Sequence, residues 1–194
     1  MKKIGIFSGT FDPFHVAHLE ACLVSKAVCE LETIAVMVEH SPHRKENVTA
    51  YKHRLAMVDL AIQSYPSLRL VDTGVENITA TNILDCLHQQ FPVSEFWYIF
   101  GSDMLYHLPK WNKLDVLTKE FKFCVVLRHN DERTNAEKLL KELKKTHRKL
   151  EYKILPEVWS SVSSSRIRNQ VAETSYSDLI HRDVLKYILT NNLY

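Results

Sequence analysis

No apolar run in this 194-residue sequence approaches the ~20 residues that span a bilayer, so no membrane segment is expected. Nor is a leader expected, since the run Ile4 to Phe7 reads at once as a strand, and a cytoplasmic protein is expected. Repeats, low-complexity tracts and Gly-, Ser- or Pro-rich linkers are all missing. Nothing divides the chain, and residues 1–194 are expected to form one domain. The four cysteines, Cys22, Cys29, Cys86 and Cys124, show no C-x-x-C spacing. This argues against a zinc site or a disulfide framework and for buried thiols in a reducing compartment. A strong charge imbalance is also missing, with a net charge of +2. The basic stretch from Lys138 to Lys153 turns leucines to one helical side and lysines to the other, without interleaved aromatics, which is a solvated face. Neither nucleic acid nor membrane is expected as a partner. A homo-oligomer stays open.

What is present is the ordinary composition of a globular protein, 45% apolar and 25% charged. Short apolar runs at Ile4 to Phe7, Thr33 to Val38, Leu68 to Val71, Phe96 to Phe100, Phe121 to Leu127 and Leu150 to Leu155 read as strands. Between them lie helical periodicities: from His15 onward, Ala50 to Ser64, up to Gln90, Ser102 to about His107, Leu114 to Thr118 and Glu132 to Thr146. Two more follow, from Ser163 and from His181 to Asn191. Strands apolar on both faces, alternating with helices, predict a doubly wound, mostly parallel α/β sheet with a C-terminal helical portion. Ligands of such sheets bind beyond the carboxyl ends of the strands.

The densest cluster of chemistry follows the first strand, where Gly9-Thr10-Phe11-Asp12-Pro13-Phe14-His15-Val16-Ala17-His18 leads into a helix. Glycine lets the backbone approach a phosphate, and helix-end N–H groups point at the anion. His15 and His18, three apart, share a helix face. A strand-turn-helix with one glycine is common, and a histidine pair is more often surface decoration; concentration within ten residues favours a site. Ser163-Ser164-Ser165-Arg166-Ile167-Arg168 offers caps and arginine donors at another helix start, although a plain capped surface helix has the same pattern. Gly101-Ser102-Asp103 ends the most apolar strand and reads equally as a ribose site or an N-cap. Trp111 is a stacking platform or a packing residue, and Pro42-His43-Arg44-Lys45 a phosphate-facing or merely solvated basic loop.

The first cluster resembles the G-x-F-D-P-x-H-x-G-H signature of the nucleotidylyltransferase superfamily, with Ser8 and Ala17 where small glycines are usual. Val162 to Arg168 resembles its I-S-S-T-x-I-R motif, and Gly101 to Asp103 its G-x-D segment. Four further segments are similar to the bacterial nicotinate mononucleotide branch. These are Leu108-Pro109-Lys110-Trp111 to L-P-x-W, Pro42 to Lys45 to P-P-H-K, His53-Arg54-Leu55-Ala56-Met57 to H-R-L-x-M, and Asn192-Leu193-Tyr194 to G-L-Y. The likeness runs in order along nearly the whole chain. One departure lies at Asn77 to Ile83, where the branch has S-Y-T-x-D-T, contacting the nicotinate carboxylate, and this chain lacks the tyrosine.

The resemblance implies adenylyl transfer from ATP, entering with Mg²⁺, to a pyridine mononucleotide, with no metal held by protein side chains. His15, His18, Thr10 and Arg168 would be catalytic. ATP would meet Gly9, Thr10, Phe11, His18, Gly101, Asp103, Ser163, Ser164, Ser165 and Arg168. Asp12, His43, Arg44, Lys45, Thr81 and Trp111 would serve the pyridine nucleotide, with Trp111 stacking on its ring. H-R-L-A-M is expected to be structural. Nicotinate mononucleotide is the expected acceptor; nicotinamide mononucleotide, or a silent nucleotide-sensing copy, remains the alternative.

Overall fold

A computed structural model describes residues 1–42, 45–76, 78–111, 113–157 and 162–194. Six strands lie in one sheet in the order β3-β2-β1-β4-β5-β6, every neighbouring pair parallel. They are β1 (Lys2–Gly9), β2 (Thr33–Val38), β3 (Leu68–Leu70), β4 (Ser94–Gly101), β5 (Phe121–Val126) and β6 (Tyr152–Leu155). The helices are α1 (Val16–Cys29), α2 (Tyr51–Ile62), α3 (Leu84–Gln90), α4 (Ser102–Leu105), α5 (Leu114–Glu120), α6 (Arg133–Thr146), α7 (Ser164–Thr174) and α8 (Arg182–Thr190). The expected doubly wound α/β architecture is therefore the observed one, with α7 and α8 forming the C-terminal helical portion. Leu150 and Glu151 stay outside β6, and the segment after α4 closes as a single 3₁₀ turn, Leu108–Lys110.

Both faces of the central strands are buried, as parallel sheets require. One face sends Phe7, Val36, Trp97, Ile99 and Cys124 against Ala21 and Cys22 of α1, Met57 and Val58 of α2, Ile167 of α7 and Ile188 of α8. The other sends Ile6, Met37, Phe100 and Phe123 against Leu87 of α3, Leu117 of α5 and Leu140 of α6. Each fully buried Leu, Ile or Phe adds about 1.5–3 kcal/mol. Gly5 allows the close packing on the first face, since a Cβ there would lie 2.8–2.9 Å from Leu31, Ile34 and Ile99. The strand order reverses between β1 and β4, so Gly9 and Gly101 end neighbouring strands at the switch point. The crevice that ligands of such sheets occupy opens there.

Candidate active site

The chain leaves β1 through Phe11, whose backbone is left-handed at φ 50. A phenylalanine rarely adopts this conformation, and here its ring keeps it there. The ring packs on Phe7, Phe14 and His18, with centroids 5.4, 5.2 and 5.0 Å away. His15 and His18 stack at 3.6 Å and 20°. The His15 N–H donates to Nδ1 of His18 (3.2 Å), so the proton of neutral His18 sits on Nε2. Burial, then His15, Arg128 and Lys45, hold His18 well below the usual histidine range. Burial and the Arg128 charge bring His15 down to about 4. The pair is neutral at pH 7, and His18 is a hydrogen-bond donor rather than a cation. Nδ1 of His15 is buried and has no hydrogen-bond partner among the described residues.

The serine-arginine segment docks directly onto this turn. Ser163 caps α7 by accepting the Arg166 N–H, and Ser164 Oγ donates to the Pro13 carbonyl (3.1 Å). Arg168 donates from Nη1 to the Asp12 carbonyl (2.8 Å) and from Nη2 to Ser165 Oγ (3.3 Å). Two clusters some 150 positions apart thus form one body at the amino ends of α1 and α7.

Asp12, expected at the pyridine nucleotide, turns its carboxylate inward, 4% exposed, accepting the Thr49 N–H (3.1 Å) and the Tyr194 hydroxyl (2.8 Å). Thr10 is buried, receives Lys45 Nζ at 2.9 Å and donates to Glu39 at 3.3 Å. His43 and Arg44, the other members of that basic loop, lie outside the described residues.

Arg54, from the segment expected to be structural, is a knot between loops. At 1% exposure it donates to the carbonyls of Thr49 (2.8 Å), Thr10 (2.9 Å), Glu39 (2.7 Å) and His40 (2.9 Å). A signal was present in the sequence: Arg54 precedes Val58, Ala61 and Ile62 by four, seven and eight positions, so it stands on the apolar stripe of its helix. An arginine there must find buried acceptors.

At the end of β4, a Cβ on Gly101 would collide with the Asp103 carboxylate. Asp103 pairs with Arg128 (3.1 Å), and Ser102 Oγ donates to Glu132 while accepting the Arg128 N–H (3.0 Å). Arg128 was not foreseen, yet its charge reaches both histidines. Trp111 is half-buried, edge-on to Tyr98 (5.8 Å, 83°) and tilted against Phe100 (5.7 Å). Tyr98 hydrogen-bonds to Ser8 (2.8 Å), so the serine at the departing position has a partner. Thr81 hydrogen-bonds to Thr79 (3.1 Å), within a turn closed by the Thr79 N–H on Asn82 (2.8 Å). Among the described residues no group of three or more His, Cys, Asp or Glu could hold a metal ion, and no helix is long and apolar enough to cross a membrane.

Residues 6–170 match the family model described as cytidylyltransferase-like. The chain is 36% identical to a nicotinate-nucleotide adenylyltransferase of Bacillus subtilis, covering 100% of this chain and 99% of that protein. It is 32% identical, over the same shares, to a probable nicotinate-nucleotide adenylyltransferase of Neisseria meningitidis. Among solved structures, nicotinic acid mononucleotide adenylyltransferase of Plasmodium falciparum complexed with NaAD superposes with a TM-score of 0.74. The identity there is 23%, over 100% of this chain and 98% of that one, a likeness of fold. With its phosphate-type turns at the switch point and these relatives matched end to end, the chain belongs to the cytidylyltransferase-like family, among the nicotinate-nucleotide adenylyltransferases.

Proposed function

We propose that this protein transfers the adenylyl group of ATP to nicotinate mononucleotide, giving nicotinate adenine dinucleotide and pyrophosphate. The observation that carries the reading is the docking of Ser164 and Arg168 onto Asp12-Pro13, beside the stacked histidines. A phosphate oxygen of the mononucleotide attacks the α-phosphorus of ATP. The bond from that phosphorus to the bridging oxygen breaks, and pyrophosphate leaves with the electron pair. The attacking phosphate is already ionised, so no general base is needed. Catalysis is positioning and stabilisation of charge on phosphoryl oxygens. His18 Nε2–H meets the α-phosphate, while His15 fixes its tautomer. Gly9, Thr10 and Phe11 bring backbone and hydroxyl to the phosphates, and Arg168 with Ser163, Ser164 and Ser165 takes the departing pyrophosphate. Gly101 and Asp103 face ribose and adenine. Trp111 stacks on the pyridine ring beside Thr81, and Lys45 with His43 and Arg44 serves the mononucleotide phosphate.

Mg²⁺ enters as part of the substrate MgATP. The Asp12 carboxylate is already spent on Thr49 and Tyr194, which fits an ion carried by phosphates and water. The same reading takes residues 1–194 as one domain, since the first-face core draws on residues from Phe7 to Ile188. It also puts the protein in the cytoplasm, to which its four free thiols are suited.

The test is pyrophosphate release with MgATP and, in turn, nicotinate or nicotinamide mononucleotide. Release with the nicotinate compound is expected. Preference for the nicotinamide compound would overturn the acceptor, and silence with both would favour a nucleotide sensor.

A further inference from the structure

The carboxylate that shapes the phosphate turn is held from an unexpected direction. Oδ1 of Asp12 accepts the hydroxyl of Tyr194 at 2.8 Å, across 182 positions of sequence. The delivery of this tyrosine is specific. Helix α8 seats Val184 and Ile188 in the core and is tied to α2 through Tyr187 and His53 (2.9 Å). It ends with Asn192 left-handed at φ 49, where Leu193 N–H returns to the Ile188 carbonyl (3.1 Å) and Asn192 N–H to that of Leu189 (3.4 Å). This paired closure reverses the chain. Asparagine tolerates the left-handed position better than most side chains. The reversal carries Tyr194 back under the turn after β1. There its ring lies 6.0 Å beneath the guanidinium of Arg168, within cation–π range, and its hydroxyl also lies 3.7 Å from Met57 Sδ.

We propose that Tyr194 is a positioning residue for the ATP phosphates: its hydroxyl fixes Asp12, its ring seats Arg168, and together they hold the two phosphate-binding segments in register. Asp12 is the shared member, with its carboxylate on Tyr194 and Thr49 and its carbonyl on Arg168. Releasing one oxygen of that carboxylate frees the turn to rotate, and the Arg168 fork loses its fixed acceptor. Burial, with the Asp12 charge next, raises the phenol above its ordinary range, so Tyr194 remains a donor throughout neutral pH. The tyrosine touches no substrate. It acts through Asp12 and Arg168.

This inference rests on the assignment of Arg168 and the Thr10–Pro13 turn to ATP, and the experiment separates the two. In Tyr194→Phe the ring stays and only the hydroxyl goes; Tyr194→Ala removes both. Tyr194→Phe is expected to raise the KM for ATP and the inhibition constant of pyrophosphate together by about fivefold, the worth of one hydrogen bond. The KM for the mononucleotide should stay within about twofold, while the thermal midpoint falls by about 2–4 °C, as loss of one hydrogen bond to a buried carboxylate requires. Tyr194→Ala should widen the ATP effect further. Calorimetric titration of each form with MgATP alone reads the same loss without turnover. An ATP affinity unchanged in both variants overturns the proposal. So does an equal rise in KM for both substrates, which marks a merely structural role. Failure of the wild-type protein to release pyrophosphate overturns adenylyl transfer instead, and the MgATP titration still decides the role of Tyr194.

Discussion

The backbone N–H of His15 donates to Nδ1 of His18 at 3.2 Å, and that one contact decides which nitrogen of His18 is a donor. With Nδ1 occupied as an acceptor, the hydrogen sits on Nε2, and the buried, stacked ring does not take a second proton at neutral pH. On the proposed mechanism, His18 therefore offers the α-phosphate a hydrogen bond and no net charge. Losing one such preorganised donor costs about 10²–10³ in kcat. His18→Ala is expected to show a loss at the upper end of that range, because the stack with His15 goes too. Circular dichroism should find the secondary structure intact. Turnover near wild type would remove His18 from the mechanism.

Stability should fall in mild acid, with a sign set by His15. Its folded-state value of about 4 lies below the ordinary 6.5, so the unfolded chain binds the proton first. The contribution is fully present above pH 6.5 and is lost as the pH drops toward 4. Over the whole window it amounts to about 3 kcal/mol. Urea unfolding at a series of pH values should show the decline, and His15→Asn should flatten it relative to wild type. Parallel slopes for the two proteins would show that His15 is not the group responsible.

Arg54 should be costly to replace. Arg54→Met removes the donors to four carbonyl oxygens, that of Thr10 in the interior and the others partly buried, and is expected to destabilise the protein by about 3 kcal/mol. Arg54→Lys keeps the charge but cannot reproduce the fork across Thr10, Glu39, His40 and Thr49. It should recover part of the stability while the KM for ATP stays raised, because the Thr10 carbonyl is no longer pinned. Denaturant titration and steady-state kinetics on the same preparations check both halves.

Trp111 should affect one substrate and spare the other. Its ring is propped edge-on by Tyr98 and at a tilt by Phe100. Stacking on an aromatic ring is worth about 1–3 kcal/mol. Trp111→Ala is expected to raise the KM for the mononucleotide at least about fivefold, at the low end of that range, with the KM for ATP nearly unchanged. Trp111→Phe should restore most of the loss. Equal effects on both substrates would return Trp111 to a packing role.

The architecture, and where along it the chemistry gathers, are legible in the order of residues alone. Apolar runs broken by Gly9 and Gly101, and helices opening at Val16 and Ser164, are local signals. Their periods and turn residues survive any tertiary detail. The six-stranded parallel sheet follows from them, as does the grouping of loops at its carboxyl end. What depends on burial and on distant partners emerges with the folded arrangement. The inward turn of the Asp12 carboxylate needs Thr49 and Tyr194, which no spacing places beside it. The neutrality of His15 and His18 needs the rings of Phe7, Phe11 and Phe14 around them and Arg128 nearby. Arg54 was visible as a charge on an apolar stripe, but its four acceptors belong to two connections, after β1 and between β2 and α2, that the sheet brings together. Hydrogen bonds and pKa values are properties of a three-dimensional neighbourhood, and the chain acquires that neighbourhood only when β1 lies between β2 and β4 and α8 returns Tyr194 to the site.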